Sequence, residues 1–363
     1  WEPRMMALFA ELQLDPRYFA RIKTIYEARE TSGLDAQQMR VVTRNYEDLV
    51  REGAELGDVE KARLVEISGE LAGKFAEFSA HVLADEEKYI LLTDAAELAG
   101  LPDTFVASLK SAAEERGLDG WALLNTRSVM QPFLENSTRR DLREKVWRAY
   151  VSRGDNNDAN DTNAIIADIL ALRLERAKLL GFASHADFRM ADTMAKTPDA
   201  AMDLMMKVWP AAVARAEEEV AAMQKIADGE GAGITIEPWD YRFYMEKLRK
   251  QQYDLDQAEL KPYFQLDKMM EAMFDEAHRL YGFTFTENTG TVPVFHPDVR
   301  TFAVTRDGET VGLFYLDNYA RAGKRSGAWM TTYRSQNHLG NDEIVPTGSP
   351  HFAGPVERRR PEA

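Results

Sequence analysis

The sequence has 363 residues, 45% of them hydrophobic, which is enough for a sizeable buried core. Against 45 Lys and Arg stand 60 Asp and Glu, and the formal net charge of −15 repels phosphate backbones and anionic lipid, so nucleic acid and the membrane surface are poor partners. Cysteine is absent, which excludes disulfides, zinc–thiolate sites and thiol nucleophiles while leaving the compartment open between cytoplasm and periplasm.

No run approaches the roughly 18 apolar residues of a membrane span. No signal peptide is visible, and a chain opening at Trp1 without an initiator Met is expected to lack its natural beginning. From Met5 to Leu91 the pattern is helical. Its clearest helix follows Gly57-Asp58, with Leu64, Ile67, Leu71, Phe75, Phe78 and Val82 as a buried stripe and Asp58 as N-cap. Pro102 to Arg116 reads as a helix with proline at its first position and Gly117 as its stop. Ala122 to Phe133 breaks the helical rhythm and is expected to be a strand or an extended crossing; Ser137 to Val151 is helical again. Past the turn at Gly154 to Asp158, Asp161 or Thr162 caps a helix whose Ile166, Ile169, Leu170, Ala177 and Leu180 share a face, closed by Gly181-Phe182. Thr197-Pro198-Asp199 starts a long helix that runs to Asp228-Gly229. Helices follow from Pro238 to about Gln252 and from Leu266 to Tyr281. Strands dominate only after Gly282, at Phe283 to Thr286, Val292 to Phe295, Val299 to Thr305 and Val311 to Leu316.

Trp329 to Tyr333 is a further β-rich run, joined to Val311 to Leu316 by a wide basic connection at Gly323 to Gly327. The wording of this region, with Phe314-Tyr315-x-Asp317, Tyr319-Ala320-Arg321, Lys324-Arg325 and Gly327-Ala328-Trp329-Met330, resembles the thimet-oligopeptidase family of zinc metallopeptidases, and within it the bacterial peptidyl-dipeptidases. The same likeness returns at Leu124 to Pro132, Arg140-Asp141 through Gly154, Arg173-x-Glu175-x-Ala177 through Phe182, Met194 to Pro198, Pro238-Trp239-Asp240, Leu260 to Phe264 and His296 to Arg300. Family enzymes are longer, so the resemblance implies a middle section: an N-terminal helical region at 1–134, truncated at its start, and the first part of the catalytic domain at 135–346. Residues 347–363, rich in Pro, Gly and Arg, depart from the family wording and are expected to form a divergent tail; a shifted reading frame would give such a composition, and a genuine short tail would look similar.

Zinc peptidase chemistry needs two His one helical turn apart, a third ligand, and a Glu to take a proton from the metal's water. The six His are His81, His185, His278, His296, His338 and His351; no two are four apart and none precedes Glu, so His-Glu-x-x-His is missing. Glu77, His81 and Asp85 share a helix face and can in principle hold a cation, but such a trio is ordinarily a solvated face. His278 beside Asp275 reads as a surface pair, and His296 before a proline as local structure. Gly323-Lys324 lacks the rest of a phosphate loop, Gly229 to Gly233 is a linker, and no Gly-x-Ser-x-Gly elbow exists.

The expected fold is mainly α, a helical oligopeptidase scaffold with channel walls and a small sheet near the C-terminus. The resemblance implies a complete enzyme that uses zinc to cleave short peptides by attack of metal-bound water, with none of those catalytic or metal-binding residues in this chain, no zinc bound by it and no hydrolysis by it alone. Gly327, Ala328 and Trp329 are the candidate substrate-binding residues, since in the resembled family this sheet borders the channel; a Trp anchoring a hairpin is the plainer alternative. A helical peptide-binding or scaffold protein without catalysis is the other functional class.

Overall fold

The structure, a computed structural model, describes residues 5, 8–9, 12–254, 257–319, 321, 324, 327–334 and 347–354, with the backbone alone at 257, 258, 261 and 347–354. It is mainly helical, with a two-stranded and a five-stranded sheet, as the sequence leads one to expect. Two units divide the chain, each made of two stretches: 1–84 with 154–217, and 85–153 with 218–363. No described helix is long and apolar enough to cross a membrane.

Asp15 caps α1 (Pro16–Glu27) by accepting from the Arg17 and Tyr18 amides, and Asp35 with Gln38 forms a capping box on α2 (Ala36–Arg51). The long α3 (Asp58–Glu86) starts one residue earlier than expected, with the Gly57 carbonyl accepting from Lys61, so Asp58 is a first-turn acid and not the cap. Leu64, Ile67 and Leu71 of its stripe are buried, whereas Phe75 is exposed and carries the Arg173 guanidinium 5.2 Å from its ring. The helical pattern predicted to reach Leu91 gives way to β1 (Tyr89–Leu92), which pairs antiparallel with β2 (Trp121–Leu124). Between them, α4 (Asp103–Glu114) takes Pro102 as its N-cap and ends before Gly117 at φ +68°.

Much of the segment expected to be extended is α5 (Arg127–Asn136), with Pro132 in its interior. Burial of Met130, Phe133 and Leu134 in one cluster with Leu92, Leu109 and Leu123 outweighs the ~3 kcal/mol that an interior proline costs. After α6 (Arg140–Val151) comes α7 (Asn163–Leu179), whose Ile165, Ile169 and Leu172 pack on Ile67 and Leu71 of α3. Its buried face is thus rotated from the predicted one, and Ile166 and Leu170 are exposed. Asp161 supplies the cap, accepting from the Asn163 amide, while the Thr162 hydroxyl donates to the Gly154 carbonyl. Gly181 stops α7 as predicted: at φ +83° it lets the Phe182 amide reach the Ala177 carbonyl (2.9 Å) and its own amide the Lys178 carbonyl (3.1 Å).

Then follow α8 (His185–Met190), α9 (Pro198–Gly229), α10 (Pro238–Tyr253), the short α11 (Gln257–Leu260) and α12 (Leu266–Tyr281). The five-stranded sheet holds β3 (Thr284–Glu287), β4 (Arg300–Arg306), β5 (Glu309–Tyr319), β6 (Gly327–Arg334) and β7 (Thr347–Gly354), in the order β3-β4-β5-β7-β6. Val292 to Phe295 is no strand; Pro293 within it and Pro297 just after have no amide to give a ladder. Residues 347–354, expected to lie in a divergent tail, form β7, parallel to β5 and antiparallel to β6. The two β-rich runs are therefore not a hairpin.

Two segments that carry the family likeness meet in the second unit. Asp240, with no exposed surface, accepts from Arg140 Nε and Nη2 (3.1 and 2.8 Å), from Arg143 Nη2 (2.8 Å) and from the Glu237 amide (3.2 Å). Arg143 is itself buried and also donates to the Ser137 and Trp239 carbonyls. One carboxylate thereby ties α6 to the start of α10.

Candidate substrate-binding strand

Alternation along β5 sends Phe314, Leu316 and Asn318 to one face, where Phe314 and Leu316 join Met270 of α12 and Phe302 of β4. Phe274 stacks on Phe285 at 4.3 Å and meets Phe302 edge-on at 4.9 Å in the same layer. Phe314 is partly buried under α12.

Asp317 is fully buried. Its carboxylate takes two parallel bonds from Arg321 (2.7 and 3.0 Å) and lies 3.2 Å from Lys324 Nζ, which also donates to the Asp317 and Tyr319 carbonyls (3.0 and 2.9 Å). Burial works to raise this carboxyl, but the bonds from Arg321 and Lys324 more than offset it and leave it below its ordinary value. Burial also holds the Lys324 ammonium below its ordinary value, against the pull of Asp317. The cluster ties Arg321 and Lys324 to the end of β5.

On β6, Gly327 and Ala328 are exposed, Trp329 is half-buried, and Tyr333 meets Tyr315 of β5 edge-on at 6.0 Å. Gly327 has φ +123°, and a Cβ built there would meet nothing within 4 Å. The described sheet ends at β6, which pairs with β7 alone. Among the described residues β6 is thus the edge of the sheet. All three predicted residues stand together on this edge. The sequence reading missed the Asp317, Arg321 and Lys324 cluster, although the spacing of one carboxylate and two cations at i, i+4 and i+7 was there to be seen.

The other sequence candidates disperse. His81 Nδ1 lies 3.3 Å from the Asp161 carbonyl, Asp85 pairs with Lys88 at 2.7 Å, and Glu77 with Lys74 at 3.5 Å. His278 Nδ1 donates to the Phe283 carbonyl (3.0 Å), and His296 Nδ1 accepts from the Asp298 amide (3.2 Å). His338 and the His351 side chain lie outside the described residues. No group of three His, Asp or Glu able to hold a metal converges among the described residues. A zinc site of the His-Glu-x-x-His kind does not fit the residues present. A cavity of about 380 Å³, lined by Leu14, Asp15, Arg17, Lys61 and Val65 among others, borders none of the predicted site residues.

Residues 133–353 match the model of Peptidase family M3. The chain is 38% identical over 339 residues to the dipeptidyl carboxypeptidase of Escherichia coli, covering 92% of this chain and 50% of that protein. It is 37% identical over 357 residues to the dipeptidyl carboxypeptidase of Salmonella typhimurium (97% and 52%), and 34% identical over 303 residues to the oligopeptidase A of E. coli (82% and 44%). The chain thus spans about half the length of the curated relatives it matches.

Proposed function

The chain belongs to Peptidase family M3, and from that membership we propose that it is a section of a zinc-dependent peptidase of the peptidyl-dipeptidase type, acting on short peptides. The observation that carries this reading is the 38% identity, over 92% of the chain, with a dipeptidyl carboxypeptidase. Within such an enzyme this section shapes the substrate path and does not supply the metal ligands. Zinc, when bound by the complete enzyme, polarises the scissile carbonyl and supplies the attacking water.

An extended peptide adds as a strand to β6, where Gly327 and Ala328 allow close backbone approach and Trp329 flanks it. The place of β6 at the edge of the sheet among the described residues and the exposure of Gly327 and Ala328 support that role. Asp317, Arg321 and Lys324 act as positioning residues for the segment that leads into the strand. The 363-residue chain, with no His-Glu-x-x-His, takes up no stoichiometric zinc and cleaves no oligopeptide alone.

Elemental analysis after dialysis against zinc, with a peptide hydrolysis assay, tests the second statement; chelator-sensitive hydrolysis by the purified chain overturns it. For the first, the chain is joined to the zinc-bearing portion of the E. coli relative. Ala328→Val then raises KM for a short peptide about tenfold with zinc content unchanged, as loss of ~1.4 kcal/mol of substrate binding requires. An unaltered KM removes β6 from the substrate path.

A further inference from the structure

Residues 201–214 of α9 read Ala-Met-Asp-Leu-Met-Met-Lys-Val-Trp-Pro-Ala-Ala-Val-Ala, with Asp203 and Lys207 as the charged members. A helix apolar around nearly its whole circumference belongs in a core. Here it is bare: Leu204, Val208 and Trp209 are 66, 61 and 62% exposed, and Met202, Met205, Met206 and Val213 are exposed beside them. Farther along the same helix the contrast is complete. Met223 and Ala227 are buried against Tyr244 of α10, with Ile234 and Ile236 packed around them. One continuous helix is thus covered at its C-terminal end and stripped at its N-terminal end. Continuous apolar patches of this extent are rare on soluble monomers and mark surfaces made to be covered.

We propose that the N-terminal half of α9 is the docking face for the zinc-bearing portion of an M3 peptidase polypeptide, which this chain does not span. The inference rests on the peptidase reading above and goes beyond it by assigning the surface that receives that portion. Length supplies the occupant: the chain matches about half of each dipeptidyl carboxypeptidase, so a comparable mass of polypeptide remains to cover an apolar helix. Side-chain type agrees. Met202, Met205 and Met206 are flexible, polarisable side chains that conform to an irregular partner surface. Asp203 and Lys207 stand one helical turn apart and are of opposite sign, so this half of the helix carries no net charge.

The absence of cysteine makes thiol labelling a clean test. Single variants Leu204→Cys and Val208→Cys are made in the 363-residue chain and in the same chain fused to a cysteine-free zinc-bearing portion of the E. coli dipeptidyl carboxypeptidase. Val59→Cys, on α3 at a site 80% exposed, is the control. The expected result is that residues 204 and 208 label at least tenfold more slowly in the fusion than in the chain, while residue 59 labels equally fast in both. Equal labelling in a fusion that hydrolyses peptides overturns the docking face and leaves the peptidase reading standing. Protection in a fusion that binds zinc without hydrolysing peptides overturns the peptidase reading and leaves the docking face. Protection already in the isolated chain, rising with its concentration, assigns the surface to a second copy and overturns the proposal. Supplying the zinc-bearing portion as a separate polypeptide repeats the test should the fusion not fold, with protection of residues 204 and 208 on mixing as the supporting result and none as the overturning one.

Discussion

At Gly181 the energetics of a single residue are isolated from packing, because nothing lies within 4 Å of where a Cβ would stand. Gly181→Ala therefore measures the left-handed backbone alone, and we expect a loss of about 1 kcal/mol in chemical denaturation. Asp240 is the opposite case. Truncating it to Ala strands two guanidiniums, one of them buried with 3% side-chain exposure, and breaking such a pair from one side costs about 3–5 kcal/mol. Equilibrium unfolding of Asp240→Ala checks this, and replacing Arg140, whose side chain is 39% exposed, costs less. These two residues also mark what a sequence discloses. Gly181 is legible because its helix, its stop and its apolar follower are adjacent. The partners of Asp240 lie 100 and 97 residues away, and no local pattern names them.

Among elements, the helices α7 and α12 and the strands β4 and β5 were legible from apolar period and punctuation, with boundaries shifted by a few residues. α5 was not, since Pro132 speaks locally for a break and only the depth of Met130, Phe133 and Leu134 overrules it. β7 was hidden for a related reason: its strand comes from pairing with β5 and β6 on both sides, not from β-favouring residues in Thr347–Gly354. Titration tests the sheet. Hydrogen bonds from Arg300 leave Glu287 below its ordinary value, and those from Arg321 and Lys324 leave Asp317 below its own against the effect of burial. Carboxylates depressed in the folded state bind fewer protons there than when unfolded, so their contribution is whole above about pH 4–5 and is lost as pH falls through the folded values. Lys324, lowered by burial, carries a penalty that eases as pH rises on the alkaline side, so its slope with pH has the same sign. The stability of the sheet, followed by amide hydrogen exchange along β4 and β5, should fall below about pH 4, and Asp317→Asn should flatten that dependence.

For the molecule as a whole, the candidate edge strand was legible as three named residues, whereas the bare half of α9 was not. The sequence shows an apolar helix, and only the fold shows that nothing described covers it. Hydrophobic dye should therefore bind the isolated chain at α9 more than at the sheet, where α12 covers Phe314. A Leu204→Glu and Val208→Glu double variant is expected to lower dye fluorescence by more than half; no change would place the exposed apolar surface elsewhere.

Both units are discontinuous in the chain, and this sets a schedule for synthesis. The residues 85–153 stretch holds the core of Leu92, Leu109, Leu123, Phe133 and Val146 within itself and can begin to collapse as it emerges. Arg140 and Arg143, however, wait for Asp240. At ~5–20 residues per second, translating the intervening stretch takes on the order of 5–20 s. Throughout that interval the nascent helix α6 carries two cations whose folded partner does not yet exist. We expect stalled nascent chains that stop short of residue 240 to be cut by protease around α6, and chains that include α10 to resist.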